Sequence, residues 1–446
     1  MAIRIKNQFA LLFLGAIFFL NSSTVPDHYS ELDSVLNTLH EYQMLNGVVL
    51  FAVGDEIVYN KAFGKANFEW NIPNTTETRF QIASITKTFT AYLTILLAEE
   101  GLLNLDDVIT DHLPDYPSET GNRITIEHLL EQSSGIPDYL NDPEFLRKEA
   151  LLEHEPSGII EYFADRGLEF EPGTDWNYGN SGYYLLGLIA QKVTGMPYSD
   201  IMEYYVTEPL NLDDTGCAKS SSIIERLATG YVRNPIGYER SPFIHSSVGF
   251  SAGMMYSTAT DLFRWSRTLF NGQHNESKYL ERMVSRQIED YGYGIFMGEQ
   301  RIGDQTEFVI SSFGNMPGYS SHLAYFEDKD YTLIILDNTQ QCTNSIYFSI
   351  RELLFEQTPR IVQEPGSSLL ASIIEEEGIE EAIEYFWEIN ETRAGECDFS
   401  IQEFIQLSNF YLERNNPQKA SQILELGAAV HPGSSMIRDR LEVLNE

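Results

Sequence analysis

Cysteine is scarce in this chain. Its three cysteines, Cys217, Cys342 and Cys397, stand far apart in 446 residues, with no C-x-x-C and no Cys/His spacing. That excludes a disulfide framework and a Cys-based zinc site, and all three read as small buried hydrophobes. Basic residues are few as well: 29 Lys and Arg stand against 66 Asp and Glu, a formal charge of -37. A surface of that sign repels phosphate backbones and anionic bilayers, so nucleic acid is excluded as a partner. There is no H-E-x-x-H and no Walker loop, and His40, His112, His128 and His154 occur singly, so no metal or cofactor is expected. The acidic run Glu375-Glu376-Glu377 reads as a solvated helix face. What remains, 43% hydrophobic and 21% charged, is the composition of a chain that buries a core. Wholesale disorder, collagen and coiled coil are excluded.

One apolar run stands out, residues 9–20, preceded by Arg4 and Lys6 and followed by Asn21-Ser22-Ser23. A basic start, a short apolar stretch and a small polar exit predict a signal peptide over residues 1–22. The run is shorter than the about 20 residues a spanning helix needs. After cleavage the chain is expected to be secreted or periplasmic, with no stable membrane insertion.

Helical spacing appears over 30–42, and strand patterns over 47–53 and 57–63, joined by Gly54-Asp55-Glu56. Residues 84–100 read as a helix stopped by Gly101. Helices and loops follow to about residue 235. Strand patterns return at 293–297, 307–311, 321–326 and 331–336, and a helix at 345–355 closes the body. Strands at both ends with helices between them predict an α/β (α+β) body over residues 30–357. Its antiparallel sheet is assembled from both ends of that body, flanked by helices, with a mostly helical subdomain inserted. Residues 358–368 read as a Pro/Gly/Ser linker and 369–446 as an all-helical acidic tail. Within the tail, 378–386 resembles 416–424, with Ala382 matching Ala420, a tetratricopeptide-like pair. Two such units are too few for an independent solenoid. A helical cap on the body is the main expectation for the tail, and a peptide or protein contact through it the second.

The chemistry converges on Ser84, Lys87 and Tyr178. Ser84-Ile85-Thr86-Lys87 is an S-x-x-K pattern at the start of an amphipathic helix, and a spacing of three puts both side chains on one face. A serine hydroxyl is a weak nucleophile that needs a neighbour to take its proton. An amine serves when burial and the positive end of a helix disfavour its ammonium form. Were Ser84 only a helix cap, Glu or Gln would be expected at position 87. A lysine is the wrong sign for a first turn, at about 0.3–1 kcal/mol, and a local rule broken without visible gain marks function. The second element, Tyr178-Gly179-Asn180, lies between the turn Glu171-Pro172-Gly173-Thr174 and a helix over 183–193. A loop tyrosine beside a cation suits acid–base work, and Asn180 suits holding Lys87 and donating to a substrate carbonyl. The tripeptide recurs at Tyr139-Leu140-Asn141, so its position between turn and helix selects Tyr178.

These blocks, QIASITKTFTAYLTILLAEEGLLNLDD around Ser84, HLLEQSSGIPDY, EPGTDWNYGNSGYYLLG, SAGMMYSTATDLFRW and YGYGIF, resemble the serine β-lactamase-related family of class C β-lactamases, D-peptidases and esterases. The likeness runs over roughly residues 30–357. It implies a bacterial, cofactor-free serine hydrolase that forms an acyl-enzyme on Ser84. Lys87 would take the proton, and Tyr178 would protonate the leaving group. It also implies a third motif on a late strand, Lys or His, any residue, then Gly. Aligning Pro317-Gly318-Tyr319-Ser320 puts Ser312-Phe313-Gly314 there, with the amide of Asn315 in the oxyanion role. Ser312 replaces the cation, which lowers the expectation of a substrate carboxylate and so of β-lactams or D-Ala-D-Ala. It also leaves open a catalytically weak or inactive member that binds through its cleft or tail. A rival nucleophile, Ser251 in Gly249-Phe250-Ser251-Ala252-Gly253, fits G-x-S-x-G, with Asp304 and His322 following in order. It lacks the strand before it and the helix starting at the serine that this elbow requires.

Overall fold

Residues 47–53, Gly-Val-Val-Leu-Phe-Ala-Val, form a nearly continuous apolar run rather than an alternating one, and such a strand must be covered on both faces. The computed structural model describes residues 27–270, 278–285, 287–340, 343–357, 362–392 and 395–445. The expected signal peptide and Cys342 lie outside the described residues. Helix α1 (Asp27–Glu41) leads into strands β1 (Gly47–Val53) and β2 (Glu56–Ala62). Helix α2 (Thr86–Glu99) and the helices and loops after it, among them α3 (Ser181–Thr194) of the same length, form the inserted subdomain. The chain then returns as β3 (Phe296–Ile302), β4 (Gln305–Met316), β5 (Tyr319–Phe326) and β6 (Tyr331–Asp337), followed by helix α4 (Thr343–Leu354).

Strand order is β3-β4-β5-β6-β1-β2, all pairs antiparallel, so the N-terminal hairpin docks on the last strand of the body. Val48 and Leu50 of β1 point into the core shared with α2 and α3. Val49 and Phe51 point to the opposite face, against Leu32 and Leu36 of α1 and Ile346 and Ile350 of α4. The architecture is thus the mixed α/β fold with a two-ended antiparallel sheet that the pattern predicts. Boundaries differ where turns intervene. Strand β3 begins at Phe296 rather than 293, because Gly294, at φ +78°, turns the chain before it. Residues 83–85 form a 3-10 turn before α2, so the helix begins at Thr86.

The described tail is helical, in α5 (Gly366–Glu376), α6 (Ile379–Thr392), α7 (Ile401–Glu413), α8 (Pro417–Val430) and α9 (Ser435–Asn445), save for a two-residue strand, Cys397–Asp398, that pairs parallel with Glu364–Pro365. Helix α5 starts inside the stretch expected as linker. Pro365 fixes the extended entry, and Glu403 accepts hydrogen bonds from the backbone N–H (3.0 Å) and Oγ (2.5 Å) of Ser367. Ala382 and Ala420 are both buried near the start of the second helix of a pair, α6 and α8, where the resemblance between the two segments aligned them. The tail meets the body at the hairpin of residues 231–240. There the buried Arg233 donates to Ser368 Oγ at 2.5 Å, and Arg414 pairs with Glu239.

Where β6 closes on β1, the fully buried Asp337 accepts from the backbone N–H of Asn46 (2.8 Å), the N–H of Thr339 (2.7 Å) and its hydroxyl (2.8 Å). Removing a carboxylate there leaves buried donors unpaired. Asp337→Ala is expected to cost about 3 kcal/mol of unfolding free energy, read as a lower denaturant midpoint. An unchanged midpoint would show that this closure is dispensable.

Candidate active site

The segment before α2 is held in an uncommon conformation. Ala83 has φ +46°, a region that L residues other than Asn and Asp seldom adopt. This turn presents Ser84, half-buried, at the head of a helix buried along most of its length. The helix is pinned below: Trp265 stacks on Phe89 (centroids 4.0 Å, planes 11°) and donates from Nε1 to Thr88 Oγ1 at 2.9 Å. Ser84 makes no side-chain cap of either the turn or the helix, so the capping role considered for it is not what the fold uses.

Lys87, one turn on, is 1% exposed. Its Nζ donates to Ser84 Oγ (3.0 Å), Asn180 Oδ1 (2.8 Å) and the carbonyl oxygen of Ala252 (3.0 Å). An ammonium has three N–H donors, and these contacts engage all of them. The same nitrogen lies 5.0 Å from the centre of the Tyr178 ring, so serine, amine and phenol share one crevice. Tyr178 is held by its neighbours: Phe296 stacks on it (5.8 Å, 26°), with Tyr291 at 6.3 Å and Trp176 at 6.5 Å. Burial pushes the phenols of Tyr183 and Tyr291 well above the ordinary range, so those two rings act as neutral walls.

Three supporting residues escaped the sequence reading. Asp138 Oδ2 accepts from Asn180 Nδ2 at 2.9 Å, which fixes the amide with its oxygen toward Lys87. Gln132 clamps the backbone of Gly179, donating to its carbonyl (2.9 Å) and accepting from its N–H (3.2 Å). Ala252 supplies the third acceptor for Lys87. All lie in the HLLEQSSGIPDY and SAGMMYSTATDLFRW blocks, where the resemblance was visible but no role was.

Strand β4 forms the opposite wall. Ser312 is buried, and Ser312 and Gly314, two apart, share the face turned to the Ala83–Ile85 turn. A Cβ at Gly314 would lie 2.3 Å from the Ile82 carbonyl oxygen, so only glycine lets the strand approach this closely. Ser321, opposite Gly314 on β5, donates to that same oxygen at 2.8 Å. Asn315 follows at the exposed end of the strand.

The rival serine is structural. Ser251 is fully buried and donates to the Tyr183 carbonyl at 2.8 Å, where α3 passes. His322 lies on β5 stacked against Tyr347 (4.3 Å, 12°), beneath α4 and away from Ser251. Tyr139 of the second Y-x-N is fully buried and donates to Val248 O at 2.5 Å. Burial raises the Cys217 thiol to about 12, which keeps it in the unreactive form. Among the described residues no group of three or more His, Cys, Asp or Glu is placed to hold a metal ion, and no helix is long and apolar enough to cross a membrane.

Comparison with known proteins bears on this geometry. The family model described as Beta-lactamase matches residues 32–345. A penicillin-binding protein of Bacillus subtilis (strain 168) is 30% identical over 358 residues, covering 75% of this chain and 78% of its own. Among solved structures, a penicillin binding protein from Bacillus halodurans superposes with a TM-score of 0.63 at 26% identity, covering 71% of this chain and 99% of that one. A D-amino acid amidase from Ochrobactrum anthropi SV3, complexed with L-phenylalanine, gives 0.62 at 26%, covering 74% and 99%. The tail helices α5 to α9 lie beyond the family match.

Proposed function

The chain belongs to the beta-lactamase family and is a serine hydrolase of amide, peptide or ester bonds, and from that premise we infer that it works through an acyl-enzyme on Ser84. In the reacting form the Lys87 nitrogen donates to Asn180 and Ala252 and turns its lone pair to Ser84, taking the hydroxyl proton across the 3.0 Å contact as Ser84 Oγ attacks the substrate carbonyl; the ammonium so formed makes all three bonds. The backbone N–H groups of Ser84 and Asn315 hold the oxyanion, an arrangement in which each donor is worth several kcal/mol, about 3. Tyr178 passes a proton to the leaving group, and Asn180, with one Nδ2 hydrogen held by Asp138, donates the other to the substrate. Ser312 contributes a hydroxyl but no charge. Water then attacks the ester on Ser84, Lys87 and Tyr178 relay its proton, and the acid is released.

The observation that carries this reading is the buried lysine bonded at once to the serine and to Asn180. The test is intact-mass analysis after a fluorophosphonate, followed by peptide mapping. One adduct on the peptide containing Ser84 is expected. An adduct elsewhere, or none, removes the reading in favour of a catalytically inactive member that binds through this cleft. The penicillin-binding relative from Bacillus subtilis is bacterial, and the basic, apolar and small polar pattern of residues 1–22 supports a location outside the cytoplasm once they are removed. The tail helices serve as a cap on the body at Arg233 and Arg414, and contact with a peptide or protein would use the exposed Tyr385 and Trp387 of α6.

A further inference from the structure

The reaction assigned above leaves the substrate open, and the β4 wall narrows it. Between Ser312 and Gly314 stands Phe313, 39% exposed although it is a large apolar residue beside a catalytic crevice. Its ring stacks on Phe296 (centroids 5.0 Å, planes 13°), and Phe296 in turn stacks on Tyr178 (5.8 Å, 26°). Three rings therefore run in one series from the phenol to the open end of the strand. Trp176 and Tyr291 close the back of the series, 6.3 Å and 4.9 Å from Phe296. An exposed aromatic face continuous with a polar reacting group is what an apolar binding site looks like before its ligand arrives.

The charge pattern points the same way. The cation in this crevice, Lys87, has its three N–H groups engaged by Ser84, Asn180 and Ala252. An incoming carboxylate would have to break one of those bonds. Ser312 offers a hydroxyl where a cation would hold an anion, and the chain as a whole carries -37. The surrounding field therefore disfavours negative substrates before contact is made.

We propose that the leaving-group side of this site, walled by Phe296 and Phe313, takes an uncharged aromatic group of an ester or amide and discriminates against leaving groups that carry a free carboxylate. The proposal rests on the assignment of Tyr178 as the proton donor to the leaving group, since Phe296 and Phe313 extend from that ring.

The test uses esters of one acid with three alcohols: 2-phenylethanol, ethanol and 3-hydroxypropanoate. The first two alcohols have similar acidity, so a difference between them reports binding rather than leaving ability. Wild type is expected to favour the phenylethyl ester over the ethyl ester by on the order of tenfold in kcat/KM, mostly through KM. The carboxylate-bearing ester should be the poorest. In Phe313→Ala the phenylethyl preference should shrink to less than about threefold, with Phe313→Leu between the two. Ser312→Lys should move the carboxylate ester up the ranking. Equal or better turnover of the carboxylate ester by wild type, or a phenylethyl preference untouched in Phe313→Ala, overturns the proposal. If wild type cleaves none of the three, the acyl-enzyme reading still rests on the Ser84 adduct, and the aromatic site is tested by binding. Quenching of Trp176 fluorescence should then titrate with 2-phenylethanol in wild type, weaken at least threefold in Phe313→Ala and be absent with 3-hydroxypropanoate. Equal titration by the two alcohols overturns the proposal in that case.

Discussion

Ser84→Ala is expected to lower turnover of any ester or amide substrate by about 10,000-fold or more, with the fold unchanged. The magnitude follows from what alanine removes. The nucleophile is the one group whose absence deletes the covalent route altogether, leaving only the oxyanion donors and the binding surface. Stability should barely move. Ser84 is half-buried, caps no helix, and its hydroxyl accepts one of three bonds from Lys87, which keeps Asn180 and Ala252 as partners. A hydrogen bond from an ammonium to a half-exposed hydroxyl is worth about 1.5 kcal/mol, and α2 stays held by Trp265. The decisive measurement pairs kinetics with a melting curve. A variant that melts near wild type and turns over nothing fits a nucleophile. Retention of a tenth of the activity at equal stability would mean another residue attacks, and Ser251, sealed beneath α3, is in no position to do so.

The parts of this site that could be read in the sequence are those whose geometry is local. Ser84 and Lys87 are three residues apart, and a helical turn brings any such pair together. Tyr178 and Asn180 could be placed because a Pro-Gly turn and a helix start bracket them. Asp138, Gln132 and Ala252 could not. Their partners stand 42, 47 and 165 positions away, and nothing in local spacing encodes contacts at that separation. Phe313 was passed over for a related reason: alternation along β4 assigns it a face, but only the packing of Phe296 from the neighbouring strand makes that face part of the crevice. The sheet was legible for the opposite cause. Residues 47–53 and 331–337 are so apolar on both faces that two covering layers follow from composition, and the two-ended topology follows from where the strands lie in the chain. The rival G-x-S-x-G motif failed on context as anticipated: Phe250, at φ +38°, breaks the local helix, and Ser251 turns inward to α3.

Lys87→Met should separate chemistry from architecture more sharply than any other change. A loss of turnover of about 1,000-fold or more is expected, because the serine then has no base within hydrogen-bond reach. The side chain is 1% exposed, so a purely structural lysine would instead announce itself as a collapse in stability. That collapse is not expected. Burying an ammonium carries a desolvation cost of several kcal/mol, roughly offset by its three hydrogen bonds, and an apolar side chain of similar length avoids that cost. The acceptors left behind have other resources: Asn180 remains held by Asp138, and Ser84 faces the open cleft. Lys87→Arg sharpens the argument further. A guanidinium stays charged at any working pH, so it can keep donating to Asn180 yet never receive the serine proton. If proton acceptance is the role, arginine rescues stability and not turnover. If the role is only to hold Asn180 in place, arginine restores a substantial part of the rate, and the base must be sought in the phenol of Tyr178 alone. Because one lysine nitrogen ties Ser84, the Tyr178-Gly179-Asn180 loop and the Ala252 carbonyl together, the two substitutions ask whether that junction is a scaffold or a proton relay.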